Sequence, residues 1–112
     1  MSEKIVQINF RFKVSPAEYD QMVSPLASEL AAVDGLRWKV WLMNEAESEA
    51  GGIYLFEDEA SANAYLEGPI VAQVGKNPAL SDFSVKQFEV SEKNTAITRG
   101  PVGVSARAIP AS

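Results

Sequence analysis

Residues 4 to 13 alternate with period two, which puts Val6, Ile8, Phe10 and Phe12 on one side and Gln7, Asn9, Arg11 and Lys13 on the other. That is the pattern of a half-buried strand. Ser15-Pro16-Ala17-Glu18 ends it and predicts a helix start, with Ser15 as N-cap, Pro16 in the first turn and Glu18 closing a capping box. Apolar residues then recur at Tyr19, Met22, Val23, Leu26, Leu30 and Val33, a stripe at helical spacing that must lie on a sheet. Pro25 interrupts the stripe and removes a backbone donor, so a kink is expected there. Asp34-Gly35 ends the helix.

Leu36 to Asn44 predicts a second strand, with Leu36, Trp38, Val40 and Leu42 facing one way and Arg37, Lys39, Trp41 and Met43 the other. Glu45 to Glu49 makes a turn. A third strand runs from about Gly51 to Glu57, and its centre, Ile53-Tyr54-Leu55-Phe56, is apolar or aromatic on both faces. Asp58 caps a second helix through Glu67 that buries Ala62, Tyr65 and Leu66; Gly68-Pro69 breaks it, and Ile70 to Gly75 adds a further helical turn or two. Phe83 to Val90 is the fourth strand. The expected organisation is one α+β domain over residues 1–91, βαββαβ with a four-stranded antiparallel sheet, followed by an extended or partly disordered arm over 92–112, where no helical period is visible.

Two helices of this length cover only one face of a four-stranded sheet, while the third strand is apolar on both. Trp41 and Met43 reinforce the point, because a patch of that size is rarely left wet. An identical sheet packed face to face solves the problem for both copies, so a homodimer is expected. A large ligand or the C-terminal arm over that face is the alternative.

Composition narrows the chemistry. The 112 residues contain no cysteine and no histidine. A thiolate nucleophile, a Ser-His-Asp triad, haem ligation by His or Cys and the usual zinc or non-haem iron ligand sets are thereby removed. Ten basic against fifteen acidic side chains give a net charge of -5, with no Lys or Arg block suited to nucleic acid. No apolar run approaches the ~20 residues of a membrane span, and a cytoplasmic protein is expected. The clusters Glu45, Glu47, Glu49 and Glu57, Asp58, Glu59 read as turn and helix-cap sequences rather than metal sites. Gly51-Gly52 opens a strand, so a close backbone approach is expected rather than a phosphate cradle.

Strand two, Leu36-Arg37-Trp38-Lys39-Val40-Trp41, and strand three, Glu49-Ala50-Gly51-Gly52-Ile53-Tyr54-Leu55-Phe56, resemble the YdhR-type monooxygenase family. So do Pro25-Leu26-Ala27, Asp58-Glu59, Ala64-Tyr65-Leu66-Glu67 and Phe88-Glu89-Val90, and the likeness runs over roughly residues 4 to 95. The resemblance implies a ferredoxin-like subunit of the dimeric α/β barrel type. It also implies a cofactor-independent monooxygenase for a small hydrophobic, aromatic or quinol-like molecule held between helices and sheet. A muconolactone-type isomerase, needing a carboxylate or Tyr as base, and a non-catalytic dimer that binds a hydrophobic metabolite are the alternatives. Quinol-oxidising members of the superfamily carry an Asn and, four residues later, a Trp on strand three; here those places read Gly52 and Phe56, and neither receives a catalytic role.

The candidate catalytic residues are Trp38, expected under the helices with its indole N–H in need of an acceptor, Tyr54 as a phenolic donor, and Arg11 as an oxyanion stabiliser. Substrate contacts are expected from Asn9, Tyr65, Phe10 and Phe56. Asn9 and Arg11 would either meet a partner across the barrel or line the pocket. Lys39 is assigned to solvent. No cofactor or metal is expected.

Overall fold

The computed structural model of the chain describes residues 2–103. Strands β1 (Lys4–Phe12), β2 (Leu36–Asn44), β3 (Glu49–Phe56) and β4 (Leu80–Glu89) form one antiparallel sheet in the order β2-β3-β1-β4. Helices α1 (Pro16–Val23), α2 (Leu26–Ala31), α3 (Glu59–Leu66) and α4 (Pro69–Lys76) pack on one face of it, and α5 (Glu92–Ile97) follows the last strand. This is the ferredoxin-like βαββαβ order that the hydrophobic periods predict.

Local chemistry sets the element ends. Ser15 Oγ accepts from Glu18 N at 3.1 Å while Glu18 Oε1 accepts from Ser15 N at 3.2 Å, the reciprocal capping box read from the sequence. Asp58 Oδ1 accepts from Ser61 N at 2.8 Å and starts α3 in the same way. Pro25 does more than kink its helix. Lacking an N–H, it ends the helical ladder at Ser24, and the stripe is carried by two short helices, α1 and α2, set end to end.

The core lies between the sheet and α1–α4. Val6, Ile8, Phe10 and Phe12 of β1 meet Tyr54 and Phe56 of β3, and Tyr19, Val23, Leu30, Ala62 and Tyr65 close over them. Phe56 is fully buried, and truncating a ring at such a site costs about 3–5 kcal/mol.

Strand β2 departs from its predicted facing. Leu36 pairs with Phe56 of β3, but Trp38 pairs with Leu55, the next residue along, so Arg37 is one residue too many. A bulge of this kind reverses the facing of everything beyond it. Lys39, Trp41 and Met43, opposite Tyr54, Gly52 and Ala50, therefore face the helices, while Trp38, Val40 and Leu42 face away. The expectation that Trp38 lies under the helices is corrected, and Trp41 and Met43 do not belong to the second face. Trp38 Nε1 finds its acceptor in the Pro101 carbonyl, at 2.8 Å.

The C-terminal region also differs from expectation. Residues 92–97 form a short helix instead of an extended arm, and the following segment returns to the sheet face opposite α1–α4. Besides the Trp38 bond, Val102 is buried and Gly103 N donates to Oε1 of the buried Glu3 at 2.7 Å. Leu55, which faces the same way as Trp38, is fully buried. The remainder of the arm, 104–112, lies outside the described residues.

At Gly51 the backbone of β3 lies close against β1, as the paired glycines suggest: a Cβ there would run into the Ile8 backbone carbonyl. Gly51→Ala is expected to lower stability by about 3 kcal/mol, because two paired strands must separate. Gly75→Ala in α4, where a Cβ meets nothing within 4 Å, is expected to raise it by up to about 1 kcal/mol. Urea unfolding of both variants checks the pair; equal effects would show that β1 and β3 are not held at this spacing.

Candidate functional site

The layer between helices and sheet is not completely filled. A cavity of about 760 Å³ opens there, floored by Ile8, Phe10, Lys39, Trp41, Tyr54 and Phe83 from the sheet and walled by Tyr19, Met22, Leu26, Tyr65 and Val71 from α1–α4. Its size lies in the range that takes a drug-sized molecule. Phe10 and Phe83 meet at 5.5 Å between ring centroids and Phe10 and Tyr19 at 6.0 Å, so one end is almost wholly aromatic. At another edge Asn77 fixes the end of α4: its Nδ2 donates to Met22 Sδ at 3.2 Å and its Oδ1 accepts from Ala79 N at 2.9 Å.

Two kinds of polar group face this space. Tyr54 of β3 and Tyr65 of α3 stand with their hydroxyl oxygens 3.3 Å apart, sharing one long hydrogen bond. Two phenols carry two O–H protons, so one remains to be donated elsewhere. Burial raises the pKa of both, and that of Tyr19 to about 12 with help from Asp20. All three are therefore neutral donors near pH 7, not phenolate bases.

Lys39 is the second kind. Its Nζ lies 3.3 Å from the Trp41 ring centroid and 4.5 Å from that of Tyr54. The stem passes over Gly52, where a Cβ would come within 2.5 Å of Lys39 Cε. Glycine at this position is what lets the lysine lie across the sheet. Burial pulls its pKa down from 10.5 to about 7, while the two ring faces favour the cation and partly offset the loss of water. Lys39 can thus hold or release a proton at neutral pH, which an exposed lysine cannot.

Of the residues singled out in the sequence, Phe10, Tyr54 and Tyr65 come together at the cavity. Phe56 lies behind them, its ring 6.2 Å from Tyr54 and 5.5 Å from Tyr65, and does not line it. Asn9, Arg11 and Trp38 are on the opposite face of the sheet. There Asn9 Oδ1 accepts from Gln7 Nε2 at 2.9 Å, and Arg11 Nη1 donates to the Glu47 carbonyl at 3.3 Å. Lys39 and Trp41 were missed because an uninterrupted strand puts them on the wrong face. Among the described residues no Asp or Glu lines the cavity, so the isomerase reading lacks its carboxylate base.

The family described as "Putative mono-oxygenase ydhR" matches residues 5–101. No curated protein matches the chain significantly. Among solved structures, NE2512 of Nitrosomonas europaea, a protein of unknown function, is 27% identical with a TM-score of 0.63, covering 81% of this chain and 91% of its own. SnoaB of Streptomyces nogalater, a cofactor-independent oxygenase, is 18% identical with a TM-score of 0.66, covering 80% and 94%. A dimeric ferredoxin-like protein of unknown function from Thermobifida fusca is 21% identical with a TM-score of 0.61, covering 80% and 93%. The last two likenesses establish the fold.

The lowered pKa of Lys39 has a stability consequence of definite sign. Between pH 10.5 and about 7 the unfolded chain binds a proton at Lys39 that the folded chain does not, so this residue makes stability fall as pH falls through that window. Lys39→Met is expected to stabilise the fold most below pH 7, with the pH-dependent gain vanishing above 10.5. Denaturation midpoints from pH 6 to 11 check this; a gain independent of pH would place the amine in water.

Proposed function

Because the chain belongs to the ydhR mono-oxygenase family, we propose that it is a cofactor-independent mono-oxygenase whose substrate is a small aromatic or quinol-like molecule bound between helices and sheet. The observation that carries this reading is a cavity with aromatic walls, one spare phenol O–H at the Tyr54–Tyr65 pair and one amine, Lys39, that exchanges its proton near neutrality. An anthrone is the simplest such substrate. Lys39 Nζ takes a proton from the ring CH2, and the Tyr54–Tyr65 pair donates to the carbonyl oxygen, where the negative charge gathers. The resulting enolate is electron-rich enough to reduce dioxygen. A C–O bond forms at the deprotonated carbon, and the hydroperoxide loses water to leave a carbonyl. One oxygen atom of dioxygen enters the product, and the other leaves as water with the two substrate hydrogens. The protein contributes orientation, exclusion of water and a fixed donor.

We also propose that two copies associate through the sheet face opposite α1–α4. The C-terminal segment reaches that face at Trp38, yet Val40 is 51% and Phe88 47% exposed on it. A dimeric relative of the same fold supports the reading.

With 1,8-dihydroxyanthrone, oxygen consumption one-to-one with substrate is expected, with label from 18O2 in the product carbonyl. Tyr54→Phe and Lys39→Met should each lower kcat/KM by about 100-fold. Uptake no faster than without protein, over a panel of anthrones and reduced quinones, would reject the activity. Sedimentation at micromolar concentration is expected to give twice the 12.1 kDa chain mass, and Val40→Asp to shift it to the single-chain value. A wild-type protein that sediments as one chain would reject the dimer.

A further inference from the structure

Lys39 stands in the cavity without an anion. Among the described residues it forms no ion pair, and no carboxylate lines the space around it. Its charge is met only by the faces of Trp41 and Tyr54, and an aromatic face is a weaker partner than an oxygen anion. The same two rings, with Phe10 and Phe83 beyond, offer flat apolar surface beside the cation. A flat ring carrying one negative oxygen is the ligand that would complete both halves.

We infer that the cavity selects planar aromatic acids, and that the carboxylate or phenolate oxygen of the ligand pairs with Lys39 Nζ while its ring lies against Trp41 and Tyr54. The pair forms in a partly desolvated site, where a charge-assisted bond is stronger than in water. A neutral ligand of the same shape leaves the ammonium with its ring contacts alone.

Binding should then draw a proton into the site. Free Lys39 is mostly deprotonated above pH 8, and an anion beside it restores the charge, so the affinity of the acid and the proton affinity of Lys39 rise together. Other groups facing the cavity do not supply this signal. Tyr54 from β3, Tyr65 from α3 and Tyr19 from α1 are held neutral, and Lys76 at the end of α4 is exposed. The residues that β1, β4 and α2 contribute do not titrate.

An acid paired with Lys39 keeps the amine protonated and withdraws it as a base, so such an acid competes with the oxygenase substrate and is not itself turned over. The inference rests on the same cavity as the oxygenase reading but needs only binding, and a ligand inert to oxygen tests it separately. Calorimetric titration at pH 8.5 with 2-naphthoate and the neutral 2-naphthamide, each in two buffers of different ionisation enthalpy, reads both affinity and proton uptake. The expected result is an acid bound at least about tenfold more tightly than the amide, with uptake of about one proton. Lys39→Met should erase the preference and the uptake while keeping amide binding, which also reports that the cavity is intact. Lys39→Arg, charged at every pH, should keep the preference without the uptake. Lys76→Met should change neither. Equal affinities, a preference that survives Lys39→Met, absence of proton uptake, or no binding of either probe at millimolar concentration would each overturn the inference, whatever the outcome with oxygen.

Discussion

Side chains on a strand alternate, so one unmatched residue decides which of them reach the interior. In β2 that residue is Arg37. With Leu36 opposite Phe56 and Trp38 opposite Leu55, every side chain from Trp38 to Asn44 turns over relative to a regular strand. Lys39 and Trp41 enter the helix-covered face, and the large indole of Trp38 goes to the other, where the C-terminal segment supplies the acceptor it needs. Arg37 itself carries the local cost: its Nε is buried without a hydrogen-bond partner, and its guanidinium reaches Glu57 only at 3.6 Å.

The two glycines of β3 make the rest of the site compatible with that reversal. Gly51 allows β3 to lie close against β1, and Gly52 leaves the space that Lys39 crosses. Strand three is thus bare of side chain at Gly52, and the polar group above it comes from the neighbouring strand. Tyr54 links the two parts of the site, since its ring meets Lys39 Nζ while its hydroxyl meets Tyr65. Any change at Gly52 or Tyr54 will therefore move the amine as well as the phenols.

Much of the fold is legible in the sequence because it rests on local rules. The alternation of β1, the Ser15 capping box, the Asp58 cap, the break at Gly68-Pro69 and the interruption at Pro25 are each written in a few adjacent residues. Tyr54, Tyr65 and Phe10 were legible as cavity residues for the same reason, their strands and helix being regular. Lys39 and Trp41 were not. Leu36 to Leu42 alternates well enough to look unbroken, and nothing in Leu36-Arg37-Trp38 marks a bulge, which is set by pairing with a strand more than ten residues away. The short helix at 92–97 escaped for a different reason: six residues are too few to show a helical period. That Lys39 and Trp41 share a side follows from their period-two spacing; that this side is the helix-covered one is decided by the bulge.

The position of the Lys39 side chain decides both the make-up of the cavity and the chemistry proposed for it. The most direct measurement is its side-chain titration followed by 13Cε chemical shift in protein labelled at lysine, with Lys39→Met assigning the resonance. A midpoint near 7, well apart from those of the exposed lysines, is the result expected of an amine enclosed by Trp41 and Tyr54. A midpoint near 10.5 would contradict it and place the amine in water, outside the cavity.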